Sequence, residues 1–191
     1  SRRSGHVQVP VELPTEYTNP DWLTREATEM PRLPYSVVLP AGDDRTMCST
    51  AEVVQPTGVS VISDIDDTLK ISQVAHRRQL LHNTFLHPFV PVPGMAPLFT
   101  HWREQGVSFH YVSSSPWQLF GPLTEFMREN GFPMGSFHLR TYQFSDPTVL
   151  KLFMSRKRNK YKIIGSILRQ FPKRQFVLVG DSGEKDAEIY G

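Results

Sequence analysis

The stretch Asp64-Ile65-Asp66-Asp67-Thr68 places three carboxylates and a hydroxyl within five residues. It follows Val59-Ser60-Val61-Ile62-Ser63, a short β-branched run bounded by turn residues, which reads as a buried parallel strand. Asp64 and Asp66 are two apart, so in extended geometry they share a face. Two carboxylates about 5 Å apart, in an effective dielectric of about 20, repel by on the order of 3 kcal/mol. Such a pair calls for a bound cation or a shared proton; the competing reading is a solvated acidic turn. Ser113-Ser114-Ser115-Pro116 ends a second run, Val107 to Val112. These hydroxyls can donate to a phosphoryl oxygen or cap a helix that starts at Trp117. Both hold if Ser113 faces the site while Ser114 or Ser115 caps. Gly180-Asp181-Ser182-Gly183-Glu184-Lys185-Asp186 ends a third run, Phe176 to Val179, which brings Asp181 to the same end of the sheet as Asp64. A hard cation such as Mg²⁺ takes one or two carboxylates together with phosphate oxygens and water, and Asp64 and Asp181 supply that set. Asp186 is either an outer ligand or a helix-start carboxylate.

No acidic residue lies between residues 147 and 180, whereas nine basic ones run from Lys151 to Arg174. Most of these read as a solvated positive face. One lysine near a phosphate would neutralise nucleophile and phosphoryl oxygens together, and the cluster would also be drawn to an anionic membrane.

The elements that must position these groups alternate. Helical patterns run from Met95 to Gln105 before Gly106, from Trp117 to Asn130 before Gly131, and from Lys160 to Phe171 before Pro172. Ser136 to Arg140 is a weaker strand candidate. Strands alternating with helices predict an α/β fold with a parallel sheet. In such sheets ligands sit at the carboxyl ends of the strands, where all three acidic or hydroxyl clusters fall. The first forty residues carry six prolines, so residues 1–33 read as an extended, irregular arm. Tyr35 to Leu39 and Ala51 to Val54 read as a small hairpin around the turn residues Ala41 to Arg45.

The chain has 191 residues with a net charge of +2, enough for one doubly wound domain and too balanced for a dedicated nucleic-acid binder. A single cysteine, Cys48, excludes an internal disulfide framework and a zinc-finger-type site. No apolar run reaches the roughly 18 residues of a membrane-spanning helix. No signal peptide is visible, though the chain starts without Met. Asp186 to Tyr190 reads as the opening of a helix, and the chain stops at Gly191, so the natural protein is expected to be longer.

Strand–DxDxT, strand–Ser, a lysine at a helix start and strand–GDxxxxD, in that order, resemble the four-part signature of the haloacid dehalogenase superfamily of phosphohydrolases. The resemblance runs from about Val59 to the end. In detail, Asp64-Ile65-Asp66-Asp67-Thr68, with aspartate where many superfamily members have glycine, is similar to the catalytic domain of the actin-patch phosphatidate phosphatases, distant relatives of the lipins. So are Tyr111-Val112-Ser113-Ser114-Ser115-Pro116-Trp117, Gln170-Phe171-Pro172 and Gly180 to Tyr190. The resemblance implies a HAD-like, Rossmann-like doubly wound sheet over residues 56–191, behind an arm and hairpin over residues 1–55 that could end an accessory domain. It implies Asp64 as a nucleophile forming an aspartyl-phosphate, and Asp66 as general acid and then base, its carbonyl touching the metal. Thr68 braces the loop, and Ser113 binds the phosphoryl group with Ser114 beside it. Lys162 neutralises charge, with Lys160 as the rival. Asp64, Asp66, Asp181 and Asp186 form the Mg²⁺ site.

Only some 25 residues, Lys70 to about Gly94, are available for a lid over the site. They allow a short helix, Ser72 to Leu86, and little or no cap domain. An open site suits a bulky substrate such as a lipid phosphate at a membrane surface, with the protein cytoplasmic and peripheral. Phe85, Leu86, Phe89, Trp117 and Phe120 are candidates either for the interface or, at about two to one, for the core. The expected function is Mg²⁺-dependent hydrolysis of phosphatidate to diacylglycerol. Alternatives are a phosphatase of protein or nucleic-acid ends and a non-catalytic phosphatidate-sensing module, against which the presence of Asp64 counts. A receiver-type signalling domain would need its phospho-acceptor after a later strand, where this chain has serine.

Overall fold

The computed structural model describes residues 11–12, 32–71, 89–141 and 156–180. Arg32–Val37 (β1) and Met47–Glu52 (β2) form an antiparallel hairpin. Its strands begin earlier in the chain than Tyr35 and Ala51, because the pairing runs from Arg32–Glu52 to Val37–Met47. Thr57–Ser63 (β3) then enters the central sheet, and Lys70–Ile71 (β4) pairs antiparallel with Val90–Pro91 (β5). Met95–Glu104 (α1) leads to Ser108–Pro116 (β6), a single 3₁₀ turn over Trp117–Leu119, Phe120–Glu129 (α2) and Ser136–Arg140 (β7). Arg156–Gln170 (α3) and Lys173–Val179 (β8) complete the described chain.

The central sheet has the order β7-β6-β3-β8, and every pairing is parallel. Counted along the chain, its strands run 3-2-1-4, the doubly wound order whose direction reverses beside the first strand. The two faces are covered separately. Val61, Phe109 and Tyr111 pack with Phe99 of α1 and with Leu123, Phe126 and Met127 of α2. Ile62 and Val112 pack with Ile164 and Ile167 of α3. Alternate residues of β3 and β6 thus serve opposite faces, which is why these strands read as nearly continuous apolar runs.

Pro97 and Pro122 each fall in the first turn of their helix, where a missing N–H breaks no ladder bond. The Trp117 to Asn130 pattern therefore splits into a 3₁₀ turn and α2. β6 extends through Pro116, so Ser113 to Ser115 are strand residues, and the cap of the 3₁₀ turn is Pro116 with no side-chain bond. Of the two serines expected to cap, Ser115 has its hydroxyl on Asp66 instead.

Candidate active site

Asp64 is the first residue beyond β3, and its N–H donates to the Val179 carbonyl at the end of β8, 3.0 Å away. It therefore sits in the crevice where the sheet order reverses. The loop that follows is anchored by two fully buried side chains, Ile65 and Leu69, and closed by Leu69 N–H to Ile65 O at 3.0 Å. Asp67 has φ 59° and donates its N–H to Lys70 O at 2.9 Å. That left-handed conformation favours glycine and, after it, aspartate or asparagine. It gives a physical reason for glycine and aspartate to exchange here.

Asp64 is 2% exposed and Lys160 5%. The Lys160 ammonium lies 3.2 Å from Asp64 Oδ1. A buried carboxylate needs its charge balanced inside the protein, and this ion pair supplies one balancing charge. Lys162, by contrast, is exposed on α3. Of the two rival lysines it is Lys160 that faces Asp64: α3 starts at Arg156, and Lys160 precedes Ile164 by four and Ile167 by seven, so it shares their buried face.

Asp66, with its side chain 24% exposed, is held on both oxygens. Lys70 Nζ is 2.6 Å from Oδ1. Ser113 Oγ donates to Oδ2 at 2.8 Å and Ser115 Oγ at 3.1 Å. Ser113 Oγ also accepts the Ser115 N–H at 2.9 Å. Burial pushes the Asp66 carboxyl up, but the Lys70 charge and the hydrogen bonds from Lys70, Ser113 and Ser115 outweigh it and hold the group below its ordinary range. Neither Lys70 nor Ser115 was legible as a partner of Asp66 in the sequence. The only signal was the i, i+4 spacing of Asp66 and Lys70.

Thr68 is buried, and its Oγ1 has no hydrogen-bond partner among the described residues. Ser114 is half-buried on β6. Asp181 and Asp186 lie outside the described residues, as do Phe85, Leu86 and the helix expected over Ser72 to Leu86. Phe89 packs edge-on against Phe126 at 5.7 Å and is half-buried. Trp117 packs against the core, whereas Phe120 is 41% exposed between Trp117 and Phe137.

Among the described residues no three His, Cys, Asp or Glu side chains converge as a metal cluster. The donor chemistry nevertheless fits a hard divalent cation. Both Asp64 carboxylate oxygens are shielded from water, and the loop offers oxygen ligands only. Gly180 follows Val179 directly, and Asp181 is the next residue.

Fold and site define a class: a doubly wound α/β protein with paired aspartates at the reversal of its sheet, as in the superfamily its motifs resemble. Residues 59–191 match the family described as Phosphatidate phosphatase APP1, catalytic domain, and the chain belongs to that family. It is 40% identical over 144 residues to Phosphatidate phosphatase APP1 of Saccharomyces cerevisiae, covering 73% of this chain and 24% of that protein. It is 32% identical over 146 residues to an uncharacterised protein of Schizosaccharomyces pombe, covering 74% and 24%. The chain thus spans about a quarter of the length of these curated relatives. Among solved structures, the class C acid phosphatase from Bacillus anthracis is similar over 70% of this chain and 72% of its own, with TM-score 0.36 and 13% identity.

Proposed function

We propose that this chain hydrolyses phosphate monoesters with the help of Mg²⁺ through an aspartyl-phosphate on Asp64, and that its substrate is phosphatidate, released as diacylglycerol. The observation that carries the reading is the buried Asp64 carboxylate facing Lys160 at the sheet's reversal point, within a family match that covers the whole site.

An Asp64 oxygen attacks phosphorus, and the bond from phosphorus to the lipid oxygen breaks. Asp66 in its protonated form gives its proton to the departing oxygen. Lys160 offsets the negative charge brought together by carboxylate and phosphoryl group. Water then attacks phosphorus, its proton passes to Asp66, and the electron pair of the broken bond returns to Asp64. Asp64, the Asp66 carbonyl and Asp181 would hold Mg²⁺, with Asp186 outside them, and the ion would supply positive charge against the phosphoryl oxygens. Ser113, with Ser114 beside it, would bind the phosphoryl group once its hydroxyl turns from Asp66.

Two features support a lipid substrate. The relative from Saccharomyces cerevisiae is described as a phosphatidate phosphatase. Phe120, three residues past Trp117 at the carboxyl end of β6, keeps an apolar ring exposed at the site's end of the sheet. No helix among the described residues is long and apolar enough to cross a membrane. Acting on a lipid phosphate would bring the protein to a membrane surface, and our proposal puts it there as a peripheral visitor on the cytoplasmic side. Phosphate release from phosphatidate vesicles, with and without Mg²⁺, tests the reading. Release that needs Mg²⁺ and falls at least about 10³-fold in Asp64→Asn is expected. Soluble monoesters turned over far faster than vesicle phosphatidate would remove the lipid assignment.

A further inference from the structure

Lys70 is a buried lysine, 8% exposed, on the two-residue strand β4. Its ammonium is 2.6 Å from Asp66 Oδ1 and 4.9 Å from the centroid of the Phe89 ring. Phe89 in turn is fixed against Phe126 of α2. Ordering a long lysine side chain and stripping its water are both unfavourable, so a lysine held this way is held by something specific. The opposite oxygen of the same carboxylate takes Ser113 at 2.8 Å and Ser115 at 3.1 Å. Among the described residues, three donors from two strands therefore converge on one carboxylate.

We propose that Lys70 is a positioning residue for the second half of the reaction, holding the Asp66 carboxylate where it takes the proton of the water that attacks the aspartyl-phosphate. The inference rests on the acid–base part proposed for Asp66. In the first half Asp66 must carry a proton, and an ammonium contact does nothing to place it. In the second half the water oxygen bonds to phosphorus, and the phosphorus–oxygen bond to Asp64 breaks with its electrons returning to Asp64. The water's proton moves to Asp66. With Ser113 turned to the phosphoryl group, the carboxylate that Lys70 and Ser115 still hold is the form that this step uses. Fixing a base within hydrogen-bond reach of its proton is a large part of what makes it effective.

The test uses p-nitrophenyl phosphate, whose leaving group departs without a proton, so the first half is insulated from Asp66. Nitrophenolate release and protein-bound phosphate after acid quench are followed in the 191-residue chain with Mg²⁺, alongside unfolding midpoints. Lys70→Met is expected to release one nitrophenolate per enzyme in a burst and then turn over at least about tenfold more slowly than wild type. That is a fraction of the ~10²–10⁴-fold that a positioned acid–base group supplies. KM should fall with kcat, leaving kcat/KM nearly constant, and Lys70→Arg should recover most of the rate. A Lys70→Met rate within about twofold of wild type, or equal losses in kcat and kcat/KM without a burst, overturns the proposal. If Lys70→Met does not unfold cooperatively, Ser115→Ala removes another of the three donors, and no burst there is equally fatal. Failure of the underlying reading looks different: wild type without turnover of either p-nitrophenyl phosphate or vesicle phosphatidate, or Asp66→Asn as fast as wild type.

Discussion

Both ends of the central sheet bury charge, and they balance it in opposite ways. At the amino ends of β3, β6 and β8, the Arg174 guanidinium donates to the Gln55 carbonyl at 2.6 Å, the Val59 carbonyl at 2.5 Å and the Thr57 carbonyl. It also donates to the Ser60 and Ser108 hydroxyls at 2.8 and 3.1 Å. All these acceptors are neutral. Gly58 beside it has φ 107°, a left-handed backbone conformation that residues with a side chain rarely adopt. At the carboxyl ends, Asp64 and Asp66 are balanced by two separate ammonium groups, Lys160 and Lys70. A guanidinium satisfied by carbonyls clamps strands and has nothing to exchange. A carboxylate balanced by an ammonium keeps a nucleophilic oxygen and a charge that an incoming phosphoryl group can share.

The sharpest way to break this contrast is at the carboxyl end. Lys160→Met should lower phosphate release by about 10²–10³-fold, the scale of one charge-stabilising donor lost from a shielded site, while Lys162→Met stays within about twofold. Equal losses would detach function from the buried position. At the amino end, Arg174→Met should leave kcat per folded molecule unchanged. It should lower unfolding free energy by about 3 kcal/mol or more, because several strand acceptors lose a charged donor at once. Urea unfolding beside an activity assay reads both, and a kcat loss without destabilisation would erase the division between the ends.

A smaller, pH-dependent effect comes from mid-sheet. His110 is buried, with Nδ1 2.7 Å from Ser136 Oγ and its ring 5.7 Å from that of Phe171. Burial, with His138 and Arg174 nearby, pushes it down to about 4. The unfolded chain takes up this proton as pH falls through about 6.5, and the native chain does so only near 4. Stability is therefore full above about pH 6.5 and lost as pH falls toward 4, by up to about 3 kcal/mol from this group. Burial moves His138 in the same direction. Asp66, held below its ordinary value of 3.8, acts only at lower pH. His110→Phe should flatten urea stability between pH 6.5 and 4; an unchanged slope would contradict this.

The sheet was legible because apolar runs mark its strands, and the loop of Asp64 and Asp66 because β3 ends in a sharp change from apolar to polar residues, whereas β6 runs on through Ser113 to Pro116. Ser136 to Arg140 was read to the residue, and β3 began two residues before Val59. Helix starts were less legible: α3 begins four residues before Lys160, in a basic stretch without an apolar signal. Lys162 was preferred to its rival Lys160 because Tyr161-Lys162-Ile163 resembles the helix opening of the family motif. Ser113 was read as facing the site, and Ser114 or Ser115 as a cap because its spacing before Trp117 fits one. Only the fold reveals that Ser113 and Ser115 reach across 47 and 49 residues to Asp66. Local pattern finds the groups that leave a strand; which cation each one meets is a property of packing.

The most direct test asks whether Asp64 carries phosphate during turnover. Borohydride quenching under steady state reduces an aspartyl-phosphate to homoserine, which peptide mass spectrometry can locate. Homoserine at position 64, formed only with substrate present and accumulating in Lys70→Met, is the predicted result. Turnover with Asp64 unmodified, or with the mark on another carboxylate, would contradict the account.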